Sequence, residues 1–472
     1  MRKMMTLLLC FFLLAAITGC TGQAVQTLPS ASPVKTAEPQ ESIPAPTSPT
    51  PTPEDIVLRT FSLAQMQEDF KQLQAVIEST HPKLYTDKKE LEQAFKTQYG
   101  LIKDGMNEAE FYRVLAPVNA AIRCHHTVIS TPTNLVNYMN EKGKFLPAGI
   151  QIIKGRAYVY ESFFPSDLQA GVEVVSINGK KIPDLIQSFM KNLQGDGANE
   201  TEKLRFINLG FAEMYYLFAE TPENFAIQYK DAGTGEIKTA ALPAVEKAQL
   251  TKTLKSFIPF QERKVTLLDQ EFQDKYAVLT VKSFGASNEF DSFMDTFFKT
   301  LAEKKIQNLI IDVRDNWGGE PERAAYLFSY LTRKAVPFMS GKYGESYILL
   351  EKPVAPAANA FKGKVYVLIN GGCNSSTGFF CALLKYHKIA TFIGEETGGG
   401  GTCMSMAQNI LLKNTGFSFQ CATQVYGVAI PGKPTGRGTM PDHTIIPTIQ
   451  DMIGDKDTVK DHALSLIRKG EE

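Results

Sequence analysis

Apolar residues recur at helical spacing through the first third of the chain after residue 56. Leu63, Met66, Phe70, Leu73, Val76 and Ile77 fall on one face of a helix that opens at Ser62 with Gln65 in a capping box and ends at Pro82. A second helix is predicted over roughly Lys88 to Ile102. A third starts at Asn107 with Glu110 and carries Phe111, Leu115, Val118 and Ile122. It delivers the chain to Cys124-His125-His126-Thr127 and the strand-like run Val128-Ile129-Ser130. Beyond residue 144 the period changes to two. GIQIIKGRAYVYES predicts a hairpin turning at Lys154-Gly155. AGVEVVSINGKKIPDLIQSFM predicts a strand, an Asn178-Gly179 turn, a short strand and a helix. A helical stretch around Phe206 to Phe218 follows, and FAIQYK and KTAAL complete a β-rich unit. From residue 274 strands and helices alternate: YAVLTVKSF, a helix to about Ala302, NLIIDVR, a helix from Pro321 to Leu331, VYVLI, a helix after Ser376, then a hairpin turning near Asn414 and a final helix from Thr458 to Arg468. RGTMPDHTIIPT reads as a surface return. The alternation argues an α/β layer structure.

These patterns divide the chain into a helical region at 56–143, a β module at 144–250 and an α/β domain at 255–472. Two segments precede them. Residues 1–20 join a basic start, Arg2-Lys3, to an apolar core too short to span a membrane comfortably as a mature helix, and end Ile17-Thr18-Gly19-Cys20. Small residues before a cysteine resemble a lipobox, which makes Cys20 the expected lipidation site and implies export to an extracytoplasmic, membrane-anchored location; an ordinary secretory signal is the alternative. Residues 21–54 are rich in Pro, Thr, Ser and Ala and predict an extended tether, with a reach on the order of 100 Å at about 3.1 Å per residue. No later stretch is apolar enough for a transmembrane helix.

Lysine plus arginine and aspartate plus glutamate each number 50, so the net charge is zero and no basic field argues for nucleic acid. Seven cysteines are present, and no spacing among them resembles a zinc site. No metal or other cofactor is expected.

The chemistry concentrates between Val365 and Gly401. A buried strand leads to Gly371, Gly372 and Asn374, then to Ser375 and Ser376 at the start of a helix with Phe379, Phe380, Leu383 and Leu384. A serine on such a turn stands out from the sheet at a helix N-terminus, where a developing oxyanion is favoured. The other reading is that Ser375 or Ser376 merely caps the helix.

Four stretches occur in order: HHTVIS; NLIIDVRDNWGG; VYVLINGGCNSSTGFF with FIGEETGGG; and RGTMPDHTI. Together they resemble the tail-specific (C-terminal processing) serine peptidase family over most of residues 60–470. The resemblance implies a helical N-terminal region, a PDZ-like module and a ClpP/crotonase-like α/β catalytic domain. It also implies a peptidase that cleaves polypeptide substrates through an acyl-enzyme. One branch of the family places a lysine base in the glycine run after Gly-Glu-x-Thr; here that position is Gly400, and 398–401 are all glycine. The branch resembling the tricorn protease core uses a histidine, and His126 before Thr127 matches it. Ser375 is then the expected nucleophile and His126 the expected base, with His125 and His443 as competing bases. The backbone N–H of Ser376, with that of Gly318 or Gly319, is the expected oxyanion pair. In the tricorn-like branch a serine precedes the histidine; His125 stands there, so the orienting residue is open, with Asp442 and Glu396 as candidates. Asp312 and Arg314 are expected to form a structural pair. If the site is built this way, Cys124 and Cys373, each two residues before a site residue, become neighbours and predict a disulfide or a packed thiol pair. Two rival functions stand beside the peptidase: a catalytically inactive peptide- or wall-binding protein of the same fold, and a hydrolase of esters or amides other than peptides.

Overall fold

The computed structural model describes residues 56–258, 266–285, 289–343, 350 and 352–470. The signal-like segment, the tether and Cys20 lie outside the described residues.

The framework of the site is a six-stranded sheet built in chain order from Leu268–Phe272, Tyr276–Val281, Asn308–Asp312, Lys364–Ile369, Ala390–Gly394 and His443–Thr444. The first pair is antiparallel and every later pairing is parallel. The middle strands read as unbroken apolar runs because both faces are covered, as parallel sheets require. Alternate residues divide between the two sides. Leu309, Ile311, Val365, Val367 and Ile369 pack with the helices Phe290–Glu303, Pro321–Ser329 and Ser376–Tyr386. Ile310, Tyr366, Leu368 and Ile393 face Val459, Ala463 and Ile467 of the last helix, Thr458–Lys469. The stretch expected as a surface return instead supplies the outer strand, with His443 registered on Ile393. A two-residue strand after a proline has no periodicity to announce it.

The β module is an antiparallel sheet of Ala148–Ile153, Arg156–Ser162, Glu173–Ile177, Asn224–Lys230 and Ile237–Pro243, with Lys180–Lys181 pairing beside it. Its two predicted turns are present. Lys154-Gly155 and Asn178-Gly179 each take positive φ at both positions, the geometry of a tight two-residue hairpin. The stretch expected to be helical around 206–218 is two helices, Thr201–Leu209 and Phe211–Phe218, divided at Gly210.

The three N-terminal helices span Leu63–Thr80, Lys88–Tyr99 and Glu108–Ile122, and both expected capping boxes are formed. Their apolar faces meet Phe417 and Phe419 of the late hairpin Gln408–Leu411/Ser418–Cys421. Asp69, fully buried on the first helix, accepts hydrogen bonds from the N–H and Oγ1 of Thr415 at 2.8 and 2.6 Å and from the N–H of Asn414 at 2.9 Å. No helix among the described residues is long and apolar enough to cross a membrane.

Candidate active site

Ser375 occupies the end of a tight turn between the strand Lys364–Ile369 and the helix Ser376–Tyr386, with φ 51° and ψ −125°. Positive φ is strained for a residue with a Cβ and persists only where surroundings impose it. Here the surroundings are backbone and the Asn374 side chain. Asn374 N–H donates to the Asn316 carbonyl at 3.1 Å, Gly399 N–H donates to the Cys373 carbonyl at 2.9 Å, and Asn374 Oδ1 accepts from Ser375 N–H at 2.9 Å. The glycine run makes that packing possible. A Cβ on Gly399 would stand 2.7 Å from Asn374 Oδ1, one on Gly398 2.4 Å from the Gly371 carbonyl oxygen, and one on Gly400 2.3 Å from the Arg437 carbonyl oxygen. Position 400 therefore has no room for the lysine of the other branch.

The helix-cap reading does not hold, because Ser375 makes no side-chain cap hydrogen bond and Ser376 Oγ donates to the Gly319 carbonyl at 2.5 Å. The Ser375 hydroxyl faces His126 instead, with Nε2 at 3.2 Å from Oγ. His126 arrives from 249 residues upstream. The helix Glu108–Ile122 ends at Arg123, whose left-handed conformation (φ 58°) reverses the chain. Val128–Ile129 then pairs antiparallel with Ser418–Cys421, registering Val128 on Gln420. Thr127 Oγ1 accepts from Ala422 N–H at 3.1 Å and locks the approach.

His126 is 3% exposed. Burial, reinforced by the neighbouring charge on His125, holds its pKa well below the ordinary 6.5, so the imidazole is neutral at physiological pH. Its Nδ1 is buried with no hydrogen-bond partner among the described residues, and the Met404 backbone lies beside the ring. Neither expected orienting carboxylate meets it. Asp442 accepts from Lys385 Nζ and from Phe392 N–H at 2.5 and 2.8 Å. Glu396 accepts from Arg437 and from Gly438 N–H, both at 2.8 Å on Oε1. The competing base His443 lies on the outer strand with its ring against His462, centroids 4.9 Å apart. His125 turns its Nδ1 to Glu202, not to the serine.

Of the two glycines expected at the oxyanion position, both adopt positive φ, 108° and 134°, and both touch the turn or the strand end beside it. The N–H of Gly318 is already given to Asn316 Oδ1 at 3.0 Å. Among the described residues the N–H groups of Gly319 and Ser376 carry no protein acceptor, so Gly319 is the donor left open. Asp312 and Arg314 form the expected structural pair, extended to Asp457 at 2.7 Å.

The disulfide expectation is overturned. Cys124, Cys373, Cys381, Cys403 and Cys421 are buried thiols. Cys124 Sγ points to the Met404 carbonyl and Cys373 Sγ to the Val313 carbonyl, 3.8 and 3.0 Å away. Equal offsets along two segments do not put side chains on the same side when one segment is a turn and the other leaves a helix. No cluster of three or more His, Cys, Asp or Glu suited to a metal ion occurs among the described residues.

Residues 275–445 match the family model of peptidase family S41. Among solved structures, the chain resembles mature CPAF complexed with lactacystin, at 13% identity and a TM-score of 0.61 over 86% of this chain and 98% of that one. Mature CPAF alone gives 12% identity and a TM-score of 0.61 over 86% and 96%. The photosystem II D1 C-terminal processing protease matches at 14% identity and a TM-score of 0.39 over 82% and 93%. At these identities the likeness to CPAF is one of fold. No curated protein matches the sequence.

Proposed function

We propose that this chain, whose residues 275–445 match peptidase family S41, is a serine-type peptidase that hydrolyses peptide bonds with Ser375 as nucleophile and His126 as general base. The observation that carries the proposal is the 3.2 Å contact between His126 Nε2 and Ser375 Oγ, made inside a buried site by a neutral imidazole. As Ser375 Oγ attacks the scissile carbonyl, Nε2 takes its proton and the other ring nitrogen keeps its own. Negative charge collects on the carbonyl oxygen, where the N–H groups of Ser376 and Gly319 receive it. The imidazolium then protonates the departing amine, and water repeats the sequence on the acyl-enzyme. The inactive-binder rival gives no reason for a strained serine to meet a buried neutral base.

The place of action in this proposal is outside the cytoplasm, on a membrane through lipid on Cys20, with the Pro-rich 21–54 segment as tether. The support for this part is the sequence pattern of residues 1–54. Metabolic labelling with a fatty-acid probe tests it: incorporation that is lost in Cys20→Ala supports the anchor, and equal labelling of both forms removes it.

Treatment of the full chain with a fluorophosphonate tests the catalytic assignment. Labelling that disappears in Ser375→Ala and falls sharply in His126→Ala is expected. Labelling unchanged in Ser375→Ala would remove the nucleophile. A panel of peptide, ester and amide substrates then separates a peptidase from the ester or amide hydrolase.

A further inference from the structure

Beside the serine–histidine contact lies a group of buried residues that the reaction above leaves unused. His125 is 5% exposed, and its Nδ1 is hydrogen-bonded to the fully buried carboxylate of Glu202. Its backbone N–H donates to Asp196 Oδ1 at 2.9 Å. Burying carboxylates is costly unless a positive partner accompanies them, and His125 is the cation at hand. The Trp317 ring stacks on that of His125, 9° from parallel with centroids 6.3 Å apart. Phe206 stacks on Trp317 in turn, at 7° and 5.0 Å. Glu202 and Phe206 are four residues apart on the helix Thr201–Leu209, hence on one face of it.

The two ends of this assembly are what give it consequence. His125 is joined to His126 by one peptide bond, and their rings meet edge to face with centroids 4.7 Å apart. Trp317 lies between Asn316, which holds Gly318, and the pair of glycines that offers the oxyanion donor. The base and the oxyanion loop come from segments nearly two hundred residues apart, yet one charged ring stack spans them. We propose that Glu202 is a positioning residue for the reaction: by holding His125 against Trp317 it fixes the base and the oxyanion loop relative to one another. This rests on the reading of Ser375 and His126 given above.

The charge on His125 has a second effect. Burial alone would lower its pKa, but the charge and hydrogen bond of Glu202 outweigh burial and hold it above the ordinary 6.5. The groups facing it are Glu202 from the helix, with Lys203 beyond, Asp196 from the preceding loop, His126 from its own segment and the uncharged indole of Trp317. An imidazolium at His125 adds to the burial that keeps His126 neutral. Replacing Glu202 by glutamine keeps the shape and removes the charge. His125 then holds its proton less firmly, with only Asp196 left to favour it, and His126 becomes easier to protonate.

Trp317 is the only tryptophan in the chain, so its emission reports the stack directly. The experiment measures fluorophosphonate inactivation against pH, resolved into a maximal rate and an apparent affinity, together with Trp317 emission. It uses the full chain as the parent, Glu202→Gln and Glu202→Asp. For Glu202→Gln the expected result is a maximal rate lower by about 10²-fold with little change in apparent affinity. The acid limb should move to higher pH, and emission should rise as the quenching imidazolium is lost. Glu202→Asp should recover part of the rate. A folded Glu202→Gln with the parent's rate, acid limb and emission overturns the inference and leaves the dyad standing. A parent that does not label removes the dyad, and this role with it. If Glu202→Gln does not fold, Glu202→Asp decides: a lowered maximal rate with unchanged apparent affinity supports the positioning role, and the parent's full rate overturns it.

Discussion

The segment bearing Ser375 folds from its own neighbourhood, whereas the segment bearing His126 depends on partners far away in the chain. Strand, turn, helix and glycine run around Ser375 all lie between Lys364 and Gly401, and the backbone contacts that hold its positive φ come from within that span and from the loop at Asn316. His126 is held by a two-residue strand, by Thr127 on Ala422 and by helices packed on Phe417 and Phe419. The difference teaches that the proposed nucleophile is built into the α/β domain, while the proposed base is delivered by docking. Damage to the docking surface should therefore disarm the serine without unfolding the turn that presents it.

The largest expected effect breaks the contact itself. His126→Ala should reduce the fluorophosphonate rate by roughly 10²–10⁴-fold, with circular dichroism showing that the fold is retained. Next comes the loop that both halves share. A Cβ on Gly319 would sit 2.2 Å from the Phe284 carbonyl carbon, so Gly319→Ala must move the open N–H. The rate should drop by about 10²–10³-fold, as when an oxyanion donor is lost, while the same change at the exposed Gly155 leaves it untouched. Asp69→Ala probes the docking side alone. It strips the hydrogen bonds from Thr415 and Asn414, and urea unfolding should show a loss of about 1–3 kcal/mol. The labelling rate should fall on the order of tenfold, because small displacements of a base are amplified in rate. Full activity at that reduced stability would show that base delivery does not depend on the docked helices.

A smaller effect is expected with pH. The unfolded chain protonates His126 near 6.5 and the folded chain only well below it. Between those values the unfolded state holds the extra proton, so this residue's contribution to stability is lost as pH falls below 6.5. Labelling by the parent should accordingly persist below pH 6.5 before it fails. His126→Ala should flatten that part of the stability curve. The smallest effect concerns strain on the nucleophile side. Ser375→Gly should raise stability by about 1 kcal/mol, whereas Ser375→Ala, which keeps a Cβ at the same φ, should leave it nearly unchanged.

The same contrast explains what could be read from the sequence. The Ser375 turn was legible because its strand, its turn residues and its helix are contiguous. The paired turns at Lys154 and Asn178 were legible for the same reason. His126 was reached by motif order, not by any local signal. The choice between Gly318 and Gly319 was hidden, because it turns on where the side chain of Asn316 points. Asp442 and Glu396 looked available in sequence but are spent on Lys385 and Arg437. Glu202 stands 77 residues from His125, and nothing in the spacing of a carboxylate on an ordinary helix marks it as that histidine's counter-charge.

The five buried thiols fall on both sides of the divide. Cys373 and Cys381 lie in the core beneath Ser375, while Cys124 and Cys421 lie in the core that carries His126. Burial pushes the thiols of Cys124, Cys373, Cys381 and Cys421 above their usual pKa, Cys373 to about 12 and Cys421 to about 11, so none of the four is reactive while its surroundings stay closed. Alkylation in the native state then becomes a stopwatch for local opening. With peptide-level readout, modification of Cys124 and Cys421 ahead of Cys373 and Cys381 would time the undocking of the base as an event separate from, and faster than, the opening of the domain that keeps the serine.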